Sequence, residues 1–323
     1  MMKKFLRKII LFFRLVNYLY LYRKIEKSLK IDKNEYAFLC NVHPGDTYLF
    51  CALMEEFVKE YKSKVTIVVN ENQAAIPTFF PSISRVVTLK KLPDFRFNSI
   101  FCKYEHIRIG RLNIGYRPNN DDLMSKLVNY FNIDVDDVDF VEPYIFYLGL
   151  KSRKISIPTI KSEWRKAAIS RFERFNLPEH RTVILAPYAK SVKPIDFNWW
   201  IKIRDILLKS GFQPVTNVGL NEKPIEGTQG ITIPFEEIIP FSELAGWVIG
   251  IRSGLMDILS SSKCKLTVLY PEQFVEFNND KVSVKVINNF GLKKINNRIE
   301  EYEINHDVQP SDDIIEYMLF SKN

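Results

Sequence analysis

Trp247-Val-Ile-Gly-Ile-Arg-Ser-Gly-Leu-Met-Asp-Ile-Leu-Ser-Ser261, followed after a short polar interval by Leu266-Thr-Val-Leu-Tyr-Pro271, is the stretch that decides the fold. A β-branched apolar run stops at Arg252-Ser253-Gly254. An apolar-periodic segment carrying Leu255, Met256, Ile258 and Leu259 comes next, and a second apolar run follows. That order reads as strand, tight turn, helix, strand. In a parallel α/β sheet such a turn lies at the carboxyl ends of the strands, where ligands bind. Gly254 lets backbone approach a ligand, Ser253 is placed to cap the helix, and the helix start offers unpaired N–H groups to an anion. Arg252 adds a planar donor fork suited to phosphate. The turn is therefore a candidate site for a phosphorylated ligand. The competing reading makes Arg252 a solvated loop residue and Ser253 an ordinary cap, because such turns are common punctuation.

Working outward, the same alternation recurs. Upstream lie Thr182-Val-Ile-Leu-Ala-Pro187, a loop at residues 188–194, a helix from Phe197 to Leu208, and a strand from Phe212 to Val218 that ends at Gly219. Thr232-Ile-Pro leads to a short helix at Phe241-Ser-Glu-Leu-Ala245, and a last helix covers Asp312 to Phe320. Nearer the start, Glu35-Tyr-Ala-Phe-Leu-Cys-Asn-Val42 is a buried strand, His43-Pro44-Gly45-Asp46-Thr47 a turn, residues 48–61 a helix, and Lys64-Val-Thr-Ile-Val-Val69 a second strand. These form an opening βαβ unit. Further strands are expected at 85–89, 99–102 and 106–109, with a helix at 121–131 and a loop or cap in the acidic 134–139 run. Polar, Pro-broken residues 150–160 precede a helix at 163–175 and mark a boundary. Two successive βα-rich halves imply two Rossmann-like domains, 31–155 and 156–323, facing a cleft. A chain of 323 residues exceeds the usual size of one core, which agrees with two.

The formal net charge of +8 is carried entirely by residues 1–30, which hold nine Lys/Arg and the single acid Glu26. A basic stripe spread over a folded surface, as nucleic-acid binding requires, is not what this distribution describes. No uncharged stretch there is long enough to span a bilayer, and no small-residue cleavage site follows. At 100° per residue Phe5, Ile9, Phe12, Val16 and Leu19 share an arc of about 80°, with Lys3, Arg7 and Arg14 opposite. Tyr18, Tyr20 and Tyr22 suit headgroup depth. The segment reads as a helix lying on an anionic membrane surface at the cytoplasmic face. A helix docked on the protein's own body or on a partner is the alternative. Cys40, Cys51, Cys102 and Cys264 show no CxxC pairing or zinc-ligand spacing and read as reduced thiols. The acids Asp121, Asp122, Asp136 and Asp137 read as solvated runs, so no metal site is expected.

With these positions placed, the chain resembles the heptosyltransferase-like group of GT-B glycosyltransferases, glycosyltransferase family 9. Gly45-Asp46-Thr-Tyr-Leu-Phe, a helix, and Val65-Thr-Ile-Val-Val are similar to the family's opening GD loop, helix and second strand. Leu185-Ala-Pro-Tyr-Ala-Lys-Ser-Val-Lys-Pro194 resembles the loop that presents a lysine to the donor phosphates. Val248-Ile-Gly-Ile-Arg-Ser-Gly-Leu-Met-Asp257 sits where the family carries a D-S-G-x-x-H turn against the donor diphosphate. Arg252 replaces that acid and Asp257 that histidine, a pattern reminiscent of the arginine-containing donor sites of some GT-B fucosyltransferases.

The resemblance implies a GT-B α/β fold and a glycosyltransferase that uses a nucleotide-sugar substrate, without a separate cofactor or metal, on a lipid-linked or surface-polysaccharide acceptor. Tyr188, Lys190, Lys193, Gly219, Arg252, Ser253, Gly254 and Asp257 are then expected on the donor, with Gly45 and Thr47 in the acceptor-side loop. Cations and helix ends would neutralise the leaving group. Asp46 is the expected general base, with His43 competing for the role; each also has a plain reading, Asp46 as a helix cap and His43 as a loop residue. Two other functions fit the same motifs: a GT-B sugar-nucleotide epimerase, and a catalytically inactive sugar-nucleotide-binding scaffold.

Overall fold

A computed structural model describes residues 27–32, 34–40, 43–90, 112–114, 140–190, 192–271, 273–277, 280–284, 287, 290–305 and 310–321, together with positions 13, 16, 20 and 24. Strand β1 (Glu35–Cys40) pairs in parallel with β2 (Lys64–Asn70) on one side and β4 (Leu112–Ile114) on the other. β3 (Arg85–Leu89) pairs in parallel with β2, giving the order β3-β2-β1-β4. The register sets Phe38 beside Ile67 and Ile67 beside Val86. β1 and β2 read as nearly continuous apolar runs because a parallel strand is covered on both faces. The segments expected at 99–102, 106–109, 121–131 and 134–139 lie outside the described residues, as does most of the basic helix expected over 1–30.

The connection from β1 to β2 departs from the expected turn and single helix. Helix α1 (Pro44–Ala52) begins within the His43-Pro-Gly-Asp-Thr stretch, and α2 (Met54–Tyr61) follows after a break at Leu53. Proline is well suited to the first helical position, where its missing N–H would have had no partner and its fixed φ is already helical. His43 is the N-cap residue, and Asp46 lies inside the first turn rather than at the cap.

After α3 (Glu142–Leu148) and α4 (Ser162–Arg174), the second sheet is built from β5 (Thr182–Ala186), β6 (Gln213–Asn217), β7 (Gln229–Ile231), β8 (Gly246–Ile251), β9 (Lys265–Pro271) and β12 (Glu300–Ile304). All of its pairs are parallel, in the order β12-β9-β8-β5-β6-β7. A hairpin of β10 (Gln273–Phe277) and β11 (Asp280–Val284) stands apart. Successive residues of β5 serve opposite faces. Val183 and Leu185 join Trp200, Ile203 and Leu207 of α5 (Phe197–Lys209) and Ile315, Met318 and Leu319 of α8 (Asp312–Phe320). Ile184 and Ala186 join the other core. The C-terminal helix thus packs on the second sheet.

That other core is continuous with the first sheet. It contains Phe38, Ile67 and Tyr48 as well as Val248, Val268 and Met256. Helix α6 (Phe235–Ala245) contributes Ile238, Ile239 and Phe241 and runs through Pro240, so it is longer than the short segment expected after that proline. Phe241 meets Phe172 of α4 edge to face, and Arg171 grips Glu237 through two hydrogen bonds of 2.6 and 2.9 Å. Gly246 ends α6 at φ +94°, where a side chain would be strained, and β8 starts at that residue. This sharp reversal aims β8 and its following turn at the start of α1.

Candidate functional site

Arg252 continues the β8 ladder by one bond, its N–H donating to Leu269 O at 2.9 Å, and Ser253 is extended. Helix α7 (Gly254–Leu259) then starts against the beginning of α1. A methyl group on Gly45 would come within 2.6 Å of Gly254 Cα and would also run into the Asp257 carboxylate. One on Gly254 would come within 2.8 Å of Gly45 N. The two βα turns, one from each sheet, therefore touch backbone to backbone, and only glycines permit it.

This contact encloses a cluster of charge. Arg252 Nη2 lies 2.7 Å from Asp257 Oδ1. Its Nε donates to Phe290 O at 3.0 Å and its Nη1 to Ser253 O at 3.1 Å, while the guanidinium carbon sits 5.4 Å from the centre of the Phe140 ring. Arg252 and Asp257 are both buried, at 9% and 5% exposure. On the facing helix, Asp46 Oδ1 accepts a hydrogen bond of 2.9 Å from Tyr144 Oη, whose residue is fully buried.

Burial raises the Asp46 carboxyl above its ordinary value, the Asp257 charge adds to the rise, and Tyr144, His43 and Arg252 oppose it. Asp257 is also raised, because the cost of burying its charge outweighs the pull of Arg252. For Arg252 burial works against the charge, but Asp257, Tyr270 and Asp46 more than offset it, so the guanidinium stays cationic. Asp257 is buried and Asp46 half-buried, and the two acids share one cation, which favours a proton on the acid pair. A carboxylate raised toward neutrality is a stronger base, and that is the property proton abstraction requires.

Gly45, Asp46, Arg252, Ser253, Gly254 and Asp257 come together as one cluster. Ser253 holds the N-cap position, yet its side chain makes no capping bond and its buried Oγ has no hydrogen-bond partner. Arg252 is not the solvated loop residue that the alternative reading required. His43 is exposed at the cap of α1, within electrostatic reach of Asp46. Thr47 points into the protein: it is fully buried and its Oγ1 donates to Gln73 Oε1 at 2.6 Å. The cause is helical geometry, since starting α1 at Pro44 turns Thr47 toward the core.

Tyr188, Lys190, Lys193 and Gly219 occupy the loops after β5 and β6, at the same carboxyl edge of the sheet as Arg252. Tyr188 Oη donates to Lys223 O at 2.5 Å, tying the two loops together, and Gly219 N donates to Glu222 Oε2 at 2.7 Å. Lys190 and Lys193 are exposed. Among the described residues no group of three or more His, Cys, Asp or Glu is arranged to hold a metal ion. Sequence reasoning missed Phe140, Tyr144 and Phe290; the Glu142-Pro143 helix start is the signal that could have located α3.

Two outcomes follow from this geometry. Gly45→Ala should cost about 1–3 kcal/mol in urea denaturation, since the added methyl meets backbone that has no room to yield; unchanged stability would remove the close contact. The raised Asp46 carboxyl contributes stability that is complete below its unfolded value and is lost as pH rises through its folded value. Asp46→Asn, which keeps an acceptor for Tyr144, should therefore melt higher than wild type at neutral pH, with the gap closing toward pH ~4. A pH-independent difference in melting temperature would contradict the raised value.

No family model and no curated protein matches this sequence. Its structure is similar to that of a family 9 glycosyl transferase from Veillonella parvula, at TM-score 0.57 and 16% identity, covering 91% of this chain and 90% of that one. It is also similar to the E. coli ADP-heptose lipopolysaccharide heptosyltransferase II, at TM-score 0.57 and 13% identity over 89% and 98% of the two chains. E. coli heptosyltransferase WaaC with ADP aligns at TM-score 0.53 and 12% identity over 90% and 100%. At these identities the likeness is one of fold: the chain has the parallel-sheet α/β fold found in the heptosyltransferase-like GT-B glycosyltransferases.

Proposed function

We propose that this protein is a glycosyltransferase that moves a sugar from a nucleoside-diphosphate donor to a lipid-linked or cell-surface polysaccharide or lipopolysaccharide acceptor, by inversion and without a metal. The observation that carries the reading is the meeting of Asp46 with the Arg252–Asp257 pair where the first βα turn abuts the β8 turn, on a fold shared with family 9 enzymes. Residues 31–155 would serve the acceptor and 156–323 the donor. Asp46 accepts the acceptor hydroxyl proton as that oxygen bonds the anomeric carbon, and the bond from carbon to diphosphate oxygen breaks. Lys190, Lys193 and Arg252 balance the charge on the departing nucleoside diphosphate. An ADP-sugar is the first donor to test, since the structural neighbours include an ADP-heptose heptosyltransferase and a heptosyltransferase with ADP.

A second reading, a sugar-nucleotide-binding scaffold without turnover, is favoured by one specific feature. Arg252 is already engaged by Asp257, and Gly45 covers Gly254. Assay of ADP-, GDP-, UDP- and CMP-sugars with membrane extract decides between them. For the transferase, Asp46→Asn should lower turnover by roughly 10²–10⁴-fold with donor affinity retained. Donor binding by wild type with no turnover on any acceptor would establish the scaffold; wild-type turnover in Asp46→Asn would pass the role to His43, to be tested as His43→Gln.

Peripheral attachment to the inner face of the cell membrane is part of the same proposal. Positions 13, 16 and 20 are helical, and Phe13, Val16 and Tyr20 are exposed at 67%, 48% and 65%. At 100° per residue they share an arc of about 60°, an apolar strip suited to an interface. No helix among the described residues is long and apolar enough to cross a membrane. Deleting residues 1–30 should release the protein from anionic vesicles, and salt should weaken binding of the full chain. Each basic residue at the surface contributes about 1 kcal/mol. Equal vesicle binding by the truncated chain would rule this attachment out.

A further inference from the structure

Residues 140–144 touch two of the three charged groups of the site, Arg252 and Asp46. Phe140, 5% exposed, places its ring against the Arg252 guanidinium and lies 6.2 Å from the Phe290 ring, whose own carbonyl accepts from Arg252 Nε. Tyr144, in the first turn of α3 just after it, donates to Asp46. The same helix is tied to the first half of the chain, since Leu148 O accepts from Tyr61 Oη at 3.1 Å. One short segment thus reaches the cation at the end of β8 and the carboxyl at the start of α1.

We propose that Phe140 and Tyr144 form a positioning bracket, which fixes the Arg252 cation and the Asp46 carboxyl relative to one another. The inference rests on the reading of Asp46 as the base. Tyr144 leaves one oxygen of Asp46 free for the acceptor by engaging the other, and its hydroxyl favours the ionised form. Phe140 closes one face of the guanidinium, whose N–H groups reach in its plane to Asp257, Ser253 O and Phe290 O. Asp46 is faced by Tyr144 from α3, by Arg252 from the end of β8, by Asp257 from α7 and by His43 at the cap of its own helix. Tyr144 is the member whose removal leaves no charge unpaired.

Tyr144→Phe and Phe140→Leu, each in the full chain, test the bracket. Tyr144→Phe should lower kcat roughly tenfold at neutral pH, move the acid limb of kcat/KM to higher pH and leave the donor KM within about twofold. Phe140→Leu should raise the donor KM and leave that limb in place. A wild-type pH profile in Tyr144→Phe, with Asp46→Asn inactive, would overturn the bracket and spare the base. Turnover by Asp46→Asn would instead overturn the base.

A stability cycle tests the contact independently of activity. A bond to the carboxylate contributes above the Asp46 folded value and is lost as pH falls. Tyr144→Phe should therefore lower the melting temperature more at pH 8 than at pH 4, and that pH dependence should vanish when Asp46→Asn is also present. Equal losses at both pH values, or a pH dependence that persists in the double variant, would mean that Tyr144 is only a packing residue.

Discussion

The constraint on which this arrangement depends is the contact of Gly45 with Gly254. Two backbone turns, each following a central parallel strand, approach until neither position has space for a methyl group. That proximity is what places Asp257 of α7 beside the first turn of α1, and it is why Asp46 and Arg252 belong to one site though they are far apart in the chain. The apolar surroundings make the approach possible. Tyr48, Phe79 and Phe80 of the first half share a core with Phe241, Met256 and Ile258 of the second, and Tyr48 Oη lies 2.6 Å from Ser261 Oγ. Burial of this common surface holds the turns together against the cost of enclosing charge.

Enclosing that charge gives the site its chemistry. The Asp257 carboxyl and the Arg252 guanidinium are buried and Asp46 is half-buried beside them, so their interactions are stronger than at a surface, and both partners act on the protonation of Asp46. Arg252 is held by Asp257, by two backbone carbonyls and by the face of Phe140, which leaves it a fixed field rather than a mobile arm. Further support lies behind it, where Tyr270 and Leu292 N both donate to Glu301. Lys190 and Lys193 stand exposed in the β5 loop at the same carboxyl edge of the sheet.

Strands were legible where burial on both faces wrote an apolar run, as in Tyr36-Ala-Phe-Leu-Cys40, Val183-Ile-Leu-Ala186 and Val248-Ile-Gly-Ile251. They were not legible in Gln229-Gly-Ile231 and Glu300-Glu-Tyr-Glu-Ile304, the two edges of the second sheet, where one side lacks a neighbour and the composition turns polar. The resemblance to the family 9 group agrees with the fold that the structure has. The early start of α1 was hidden because His-Pro-Gly-Asp carries turn chemistry and helix-start chemistry at once, and the same shift turned Thr47 into the core.

The sequence by itself determined the alternation of strands and helices and the uneven placement of basic charge, and it singled out Asp46, Arg252 and Asp257 as candidate site residues, because periodicity and residue type are local. Only the tertiary structure decided that Arg252 pairs with Asp257, that Asp46 faces that pair and that Tyr144 grips it. The approach of Asp46 to the pair depends on the distance between turns more than two hundred residues apart, and that distance is set by the packing of the shared core and by two glycines without side chains.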